Sequence, residues 1–372
     1  MVKWWILSRE VGSISSISPT YLTVREAFFY ESLRGGKVRC TLCERRCEVV
    51  DGNFGYCGTR RNIGGKLYTL VYGDLSAIES RPIEIKPFNH YWPGSYALTF
   101  STWSCNFSCP WCQNYHLSRA LPKPEKAKFY PPEKIVEWAL ENGDVGLCAS
   151  FQEPTLLTEW AIQVFTIGKR MGIRYCCYVS NGYMTVEALK ALHESGMDGL
   201  KIDIKGGPEV YEKYCGGVNV DKVWRNVVEA KKLGLHIEIV NLLVTGVNDH
   251  DESIEWVIEK HLENAGPEVP LHFTRYYPAY KFHNPPTKIE VLEKAYYMAR
   301  KAGILYPYIG NVPGHRYEST YCPNCGDLLI KRYGHYILKY RVTPEKRCPT
   351  CGNSILVTGY YMGDKIQKNI GA

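Results

Sequence analysis

Three cysteines in the segment CNFSCPWCQN, Cys105, Cys109 and Cys112, are spaced CxxxCxxC. A [4Fe-4S] cube offers four irons to thiolates, and a cluster that only transfers electrons usually binds four cysteines. Three local cysteines leave one iron open, and an open coordination position is where a metal site binds reactants. The spacing therefore predicts an iron–sulfur site with one free iron. A structural zinc site is the alternative, and it would need a fourth ligand, for which His116 is the close candidate.

The segment before these cysteines predicts where they lie in the fold. Residues 95–100, SYALTF, alternate between polar and apolar and then run mainly apolar, which is typical of a buried strand. The cysteines are therefore predicted to lie on a loop that leaves the carboxyl end of this strand. Catalytic loops of α/β barrels lie at that end.

Strand-like and helix-like segments alternate from about residue 95 to residue 310, which predicts βα units around a parallel sheet. Helices are predicted after Pro131, over the segment TLLTEWAIQVFTIGKRMG, and after a Thr185 cap. Six βα units make three quarters of a barrel. The strands are predicted near 96–100, 146–151, 173–179, 199–204, 236–244 and 269–274.

The chain has 15 cysteines in 372 residues, and most of them fall into tight clusters, which indicates metal ligation in a reducing compartment. One cluster lies near the N-terminus and supplies four thiolates from a short segment, which makes a closed site. Zinc, an auxiliary iron–sulfur cluster and a functional cysteine pair all fit this pattern. Its members are Cys40, Cys43, Cys47 and Cys57.

The motifs CPNC and CPTC near the C-terminus have the spacing of a zinc ribbon, which predicts a tetrahedral zinc. A single iron could be held by the same four sulfurs. The motifs contain Cys322, Cys325, Cys348 and Cys351. The cysteines outside the clusters are expected to be small buried apolar side chains. These are Cys148, Cys176, Cys177 and Cys215.

The CxxxCxxC motif with aromatic Trp111 before its last cysteine resembles the signature of the radical S-adenosylmethionine (SAM) superfamily. The longer segment CNFSCPWCQN is similar to the branch that contains the pyruvate formate-lyase activating enzymes. SFQEPT (150–155), KIDIKGG (201–207) and VNLLVTGVND (240–249) resemble further elements of that branch. GNVPGHRYESTYCPNC (310–325) resembles the AmmeMemoRadiSam-system radical SAM enzymes in particular, and the similar segments span nearly the whole chain.

The resemblance implies a fold and a domain organisation. We expect an α/β chain with a partial (βα)6 TIM-like barrel, a small N-terminal Cys-rich segment and a C-terminal zinc-ribbon-like domain. The expected boundaries are 1–90 for the N-terminal segment, 91–312 for the barrel and 313–372 for the C-terminal domain.

The resemblance also implies a chemistry. In the superfamily, SAM binds the open iron of a [4Fe-4S] cluster, one electron cleaves it, and the resulting 5′-deoxyadenosyl radical abstracts a hydrogen atom. An electron donor such as ferredoxin or flavodoxin and an unidentified small-molecule or protein substrate are then implied. Glu153 is expected to accept a hydrogen bond from the methionyl ammonium of SAM. Further expected cofactor contacts are Trp111, Ser180, Asn181, Asp203, Lys205, Asn241 and His272.

Several of these residues could also have ordinary structural roles. Ser180 and Asn181 also suit an ordinary helix N-terminus, and Asp203 and Lys205 could pair with each other. Asn241 could merely satisfy backbone groups, and a lone histidine such as His272 is more often structural.

Other function classes fit parts of the sequence. Activating enzymes abstract hydrogen from a backbone glycine of a partner protein, and SAM-dependent methyl transfer is a rival reaction. A non-catalytic, zinc-stapled module that binds RNA or protein would use the same cysteines for zinc alone.

Composition narrows the cellular setting. The net charge of +7 is spread along the chain and does not by itself argue for nucleic-acid binding. The chain lacks an apolar run of about 18 residues, and its N-terminal apolar stretch is too short for a secretory signal. We therefore expect a cytoplasmic protein with no membrane partner.

Overall fold

An eight-stranded sheet organises the structure, a computed structural model that describes residues 18–363. The N-terminal segment MVKWWILSREVG and residues 364–372 lie outside the described residues. Numbered along the described chain, the strands are β1 Arg25–Glu26, β2 Tyr30–Ser32, β3 Val38–Cys40, β4 Glu48–Val49, β5 Arg60–Ile63, β6 Lys66–Thr69, β7 Ala77–Pro82, β8 Tyr96–Ser101, β9 Gly146–Ala149, β10 Tyr175–Ser180, β11 Gly199–Ile204, β12 His236–Leu243, β13 Leu271–Arg275, β14 Pro307–Gly310, β15 Thr320–Tyr321, β16 Leu328–Tyr333 and β17 Tyr336–Tyr340.

The large sheet contains β7 to β14 in chain order. Strands β8 to β14 are parallel to their neighbours, and β7 runs antiparallel to β8. Strands β8 to β13 are almost wholly buried on both faces, as expected for a parallel sheet with covered faces. The six predicted strands are confirmed, whereas β7 and β14 were not predicted.

Eight α-helices connect and cover the strands within the described residues. They are α1 Tyr115–Ser118, α2 Pro132–Glu141, α3 Thr158–Arg170, α4 Val186–Glu194, α5 Pro208–Tyr214, α6 Val220–Lys232, α7 Asp251–Asn264 and α8 Ile289–Ala302. The predicted starts of α2 and α4 are confirmed: Pro132 opens α2, and the Thr185 side chain accepts a hydrogen bond from the amide of Ala188. Both features satisfy or remove amide groups that a helix start leaves without an intrahelical partner.

The order of the strands determines where the helices lie. Each crossover from β8 to β14 moves one strand in the same direction, and such crossovers are right-handed, so the helices cover one face of the sheet. Within this layer α2, α3, α4, α6, α7 and α8 contact one another in that order. The carboxyl ends of the parallel strands meet at one edge, which is where the CxxxCxxC loop begins. No helix in residues 18–363 is long and apolar enough to cross a membrane.

A buried ion pair fastens the N-terminal part to the helical layer. Two three-stranded sheets, β1-β6-β5 and β2-β3-β4, form this part. The guanidinium of Arg60, in β5, donates to both carboxylate oxygens of Glu159, in α3, at 2.5 and 2.6 Å. Both side chains are at most 2% exposed.

Strands β15, β16 and β17 form a separate C-terminal sheet with a small core of its own, which includes Cys322 and Cys348. Arg332 of β16 donates to the carbonyl of Asn89, at 2.8 Å, and Thr358 pairs with Tyr91. These bonds hold the sheet against the segment that precedes β8.

We expect Glu159→Ala to lower the free energy of unfolding by about 3–5 kcal/mol, because it leaves the buried Arg60 charge unpaired. Urea or thermal unfolding of the metal-loaded protein measures the change. Glu137→Ala is the matched control, since it breaks an exposed pair with Lys134 on α2 and should cost at most about 0.5 kcal/mol. Equal effects of the two substitutions would contradict the role of the buried pair.

Candidate functional site

The three cysteines of the CxxxCxxC motif lie on the loop between β8 and α1, as predicted. Ser104 enters the loop with a positive φ of 70°, and its amide donates to the carbonyl of Leu117, which closes the loop. Cys109 is buried, and Cys105 and Cys112 are partly exposed. The His116 side chain, considered above as a zinc ligand, is exposed and belongs to no group of close metal-ligand atoms among the described residues.

A fourth cysteine lies beside this loop. The Sγ atoms of Cys109 and Cys215 are 3.7 Å apart, and Cys215 is fully buried just after α5. The hydrogen bond with Cys215 lowers the pKa of the Cys109 thiol, and the nearby Lys205 charge lowers it further. A thiol that ionises readily is prepared for metal ligation, because the thiolate is the ligand.

The carboxylate of Glu153 joins the loops that follow β9 and β10. Its Oε1 accepts from the Thr155 amide and hydroxyl and from Ser180 Oγ, and its Oε2 accepts from the Asn181 amide, at 2.5 to 3.0 Å. Burial raises the pKa of Glu153, although these donors oppose the shift. A carboxylate has about four acceptor sites. In this arrangement Glu153 positions the loops. A ligand ammonium would have to donate to a carboxylate oxygen that already accepts a hydrogen bond from one of these loops.

Asn181 connects this network to the cysteine loop. Its Nδ2 donates to Asn106 Oδ1 at 2.7 Å and lies 3.9 Å from Cys105 Sγ, while its Oδ1 accepts from the Tyr183 amide. Asn181 is therefore placed beside the cysteine loop, and Ser180 and Asn181 also form the turn that precedes α4.

Asp203 and Lys205 form an ion pair with each other, which is one of the two arrangements that the sequence allowed. The Lys205 ammonium donates to Asp203 Oδ2 at 3.2 Å, and Lys201 donates to Oδ1. Burial alone would raise the pKa of Asp203, but the two lysines outweigh it and lower this pKa to about 2. Asp203 is thus ionised at neutral pH, and the Lys205 charge beside it also acts on Cys109.

The site retains buried polar atoms without protein partners, which is what a polar ligand requires. Both polar atoms of the Gln152 side chain, Asn241 Oδ1 and Asn106 Nδ2 are buried and have no hydrogen-bond partner within the described residues. Asn241 Nδ2 donates to the Ile204 carbonyl, so one half of that amide is structural. Three thiols and these free polar groups fit an iron–sulfur cluster and a polar cofactor such as SAM.

Two further predicted contacts are Trp111 and His272. Trp111 lies within the cysteine loop and is buried against Tyr214 and Phe282. His272, the second residue of β13, hydrogen-bonds Glu238 at 2.7 Å and stacks on Tyr308. The structure does not bring His272 to the cysteine loop, because strand position two lies toward the amino end of the sheet.

Sequence reasoning missed several residues of the site. Lys201 alternates with Asp203 and Lys205 along β11, so the period-two pattern of a strand could have found it. Cys215 and Asn106 carry no local signal, since only the packing of α5 and of the cysteine loop brings them together. Phe151 was also missed: it has a positive φ of 71°, and its carbonyl accepts from Asn114 Nδ2.

The four C-terminal cysteines form a compact group. All four Sγ atoms lie within 4.8 Å of one another, with Cys322 to Cys351 at 3.6 Å and Cys325 to Cys348 at 3.7 Å. Each CPxC motif is followed by a glycine with positive φ, Gly326 or Gly352, whose amide donates back to the first cysteine's carbonyl. The group could hold one metal ion.

Comparison with known proteins adds three findings. The sequence profile of the Radical SAM superfamily matches residues 101–257. The uncharacterized protein MJ0808 of Methanocaldococcus jannaschii is 40% identical over 334 residues, which cover 89% of this chain and 99% of that protein. The GTP 3′,8-cyclase of Aquifex aeolicus is 28% identical over 46% of this chain, and the chain spans about half of the cyclase (52%).

Among solved structures, a radical SAM methyltransferase from Sphaerobacter thermophilus aligns with a TM-score of 0.47 and 15% identity. The alignment covers 59% of this chain and 67% of that chain.

We expect Glu153→Gln to destabilise the protein by about 1–3 kcal/mol, because an amide nitrogen would then face buried N–H or O–H donors. Thermal unfolding before cluster loading measures this effect apart from any cofactor. Glu141→Gln, at the exposed end of α2, serves as the control and should leave stability unchanged. If both variants unfold like the parent protein, the carboxylate does not hold the loops together.

Proposed function

Since this chain belongs to the radical SAM superfamily, we propose that Cys105, Cys109 and Cys112 hold a [4Fe-4S] cluster that cleaves SAM reductively. When bound, the cluster and SAM would supply a 5′-deoxyadenosyl radical that abstracts a hydrogen atom from a substrate. The observation that carries the proposal is the position of the three thiols at the carboxyl edge of the sheet, beside buried polar atoms without partners.

The chain's own residues would bind and orient the cofactor. Gln152 and Asn241 have free buried polar atoms that could bind SAM. Glu153, Ser180 and Asn181 would keep the surrounding loops in place. The buried Cys109, Phe107 and Trp111 would limit water on the inner side of the loop, which protects a reactive intermediate from side reactions.

The proposal also includes an electron donor and a placement among related enzymes. A one-electron carrier such as ferredoxin or flavodoxin would supply the electron. The segment 310–325 supports placement among the AmmeMemoRadiSam-system enzymes. An activating role toward a partner protein is an alternative form of the same chemistry, since it also begins with hydrogen abstraction.

We expect the anaerobically reconstituted protein, given dithionite and SAM, to form 5′-deoxyadenosine and methionine, as measured by chromatography and mass spectrometry. Replacing Cys105, Cys109 and Cys112 by Ala should reduce cleavage to background. Cys176→Ala, a buried cysteine of β10 away from the loop, is the matched control and should retain activity.

Three results would contradict the proposal. A protein that contains a spectroscopically confirmed cluster but does not cleave SAM would have the fold of the superfamily without its chemistry. S-adenosylhomocysteine as the sole product would indicate methyl transfer. A colourless protein that binds only zinc would favour the non-catalytic module.

We further propose that the C-terminal cysteines hold zinc. Zn–S bonds of about 2.3 Å place the sulfurs of a regular tetrahedron about 3.8 Å apart, close to the 3.6 and 3.7 Å between the paired sulfurs. An ion bound by four thiolates would then hold β15, β16 and the segment after β17 together.

We expect the purified protein to contain zinc at this site, and Cys348→Ser to lose one equivalent and melt at a lower temperature, because the ion connects the two CPxC turns. Elemental analysis by mass spectrometry measures the metal. Cys112→Ala is the control and should retain this zinc. Iron in place of zinc in the protein as isolated would contradict the choice of metal.

A further inference from the structure

A cavity lies between the large sheet and the C-terminal sheet. Its volume is about 230 Å³, and an engineered protein cavity of roughly 150 Å³ is enough to hold benzene. Pockets for drug-sized ligands have about 300–1,000 Å³, so this cavity suits a smaller molecule of one ring or two fused rings. Five tyrosines and one arginine contribute to its lining. They are Tyr296, Tyr306, Tyr308, Tyr317, Tyr321 and Arg300.

Several of these tyrosine rings are already fixed in place. The Tyr308 hydroxyl bonds to His90 Nε2 at 2.5 Å, and the Tyr321 hydroxyl donates to a backbone carbonyl at 3.2 Å. Tyr296 and Tyr317 stack, with ring centroids 3.7 Å apart and 12° between the ring planes. Because the rings are ordered, the stacking of a planar ligand on them would cost little side-chain entropy.

Two side chains of α8 bring polar groups without protein partners to the cavity. Tyr296 and Arg300 lie four residues apart on α8, so they share one face of the helix. Arg300 Nη1 donates to the carbonyls of Ile304 and Leu305, at 3.3 and 2.7 Å. Among residues 18–363, Arg300 Nε and Nη2 and the Tyr296 hydroxyl have no hydrogen-bond partner, and Arg300 forms no ion pair with a carboxylate.

The charge of this corner favours an anion. An arginine stays protonated, and the free edge formed by its Nε and Nη2 matches the two oxygens of a carboxylate. Burial raises the pKa of Tyr306 to about 12 and also raises the pKa of Tyr296, so both hydroxyls are neutral donors at physiological pH. The Arg300 charge opposes both shifts because the guanidinium lies close to both hydroxyls.

The volume of the cavity narrows the class of ligand. A nucleotide would need room for a ribose and a phosphate besides its base, whereas an aromatic carboxylate needs room only for its ring and one small group. By contrast, the cavity that Cys40, Cys43, Cys47 and Cys57 line has about 10 Å³, roughly the space of one water molecule.

From these observations we propose that the tyrosine-lined cavity binds a small planar aromatic carboxylate, with its carboxylate on Arg300 and Tyr296 and its ring among the tyrosines. The cavity lies at the amino end of β14, whereas the cysteine loop follows the carboxyl end of β8, so the two sites are at opposite edges of the sheet. A bound ligand would contact the large sheet and the C-terminal domain together. The inference stands independently of SAM cleavage.

The test measures binding to the full, metal-loaded chain by ligand-observed NMR titration. Benzoate and 2-naphthoate are the acids, and benzamide and 2-naphthamide have the same rings without the charge. We expect saturable binding of one acid or both, at least about tenfold tighter than that of the matching amide, because the amide loses a charge-assisted bond to Arg300. Cyclohexanecarboxylate, which has the charge without the aromatic ring, should bind more weakly than the acid that binds best.

Three variants locate the binding site. Arg300→Gln should weaken binding of the acid by about tenfold or more and have a smaller effect on the amide. Lys301→Gln, which removes an exposed charge from the next position of α8, is the matched control and should leave both affinities unchanged. Tyr296→Phe keeps the ring and removes the free hydroxyl, so it should weaken binding of the acid by less than Arg300→Gln. Circular dichroism and the C-terminal metal content show whether each variant has folded.

No saturable binding of either acid, or equal affinities for acid and amide in the wild-type protein, would overturn the inference, even if Arg300→Gln failed to fold. Full affinity of a folded Arg300→Gln protein would overturn it as well. Arg300-dependent binding of adenosine monophosphate that is tighter than that of either acid would assign the cavity to a nucleotide and overturn the choice of ligand. A protein that binds the acids as expected but forms no 5′-deoxyadenosine would contradict the proposed function and leave this inference standing.

Discussion

The Glu153 carboxylate bonds to residues of two consecutive loops, and the arrangement of the candidate site depends on it. Thr155 continues from β9, and Ser180 and Asn181 end β10, so one buried acceptor fixes both loops at the carboxyl edge of the sheet. Asn181 then extends the network to Asn106 in the cysteine loop. A buried carboxylate is costly unless its oxygens are bonded, which is why these loops have one favourable arrangement.

Three groups of cysteines in one chain show three different geometries. The C-terminal four are close together, as around one ion, while the N-terminal four surround a cavity. The three on the β8–α1 loop lie beside the ion pairs of Asp203 and free polar groups. The backbone around each group therefore determines which side chains the thiols face and how closely they approach one another.

Much of the central fold could be predicted from the sequence. The six strands from β8 to β13 are rich in apolar residues and alternate with helix-like segments, and α4 begins at a recognisable cap, Thr185. The edge strand β7 could not be predicted, because its sequence AIESRP is half exposed and includes a proline, so only pairing with β8 makes it a strand. Strand β14 has four residues and starts with proline, and it depends likewise on its neighbour β13.

The sequence by itself determined which residues are chemically competent: clustered thiols at metal-ligand spacing, and polar residues at the ends of predicted strands. Covalent spacing along a chain is fixed, so such motifs can be read directly. Only the tertiary structure decided their partners. It placed Cys215 against Cys109, paired His272 with Glu238 and bonded Asn181 to Asn106. These contacts join residues from different strands and loops, and packing of the sheet and helices sets the distances between them.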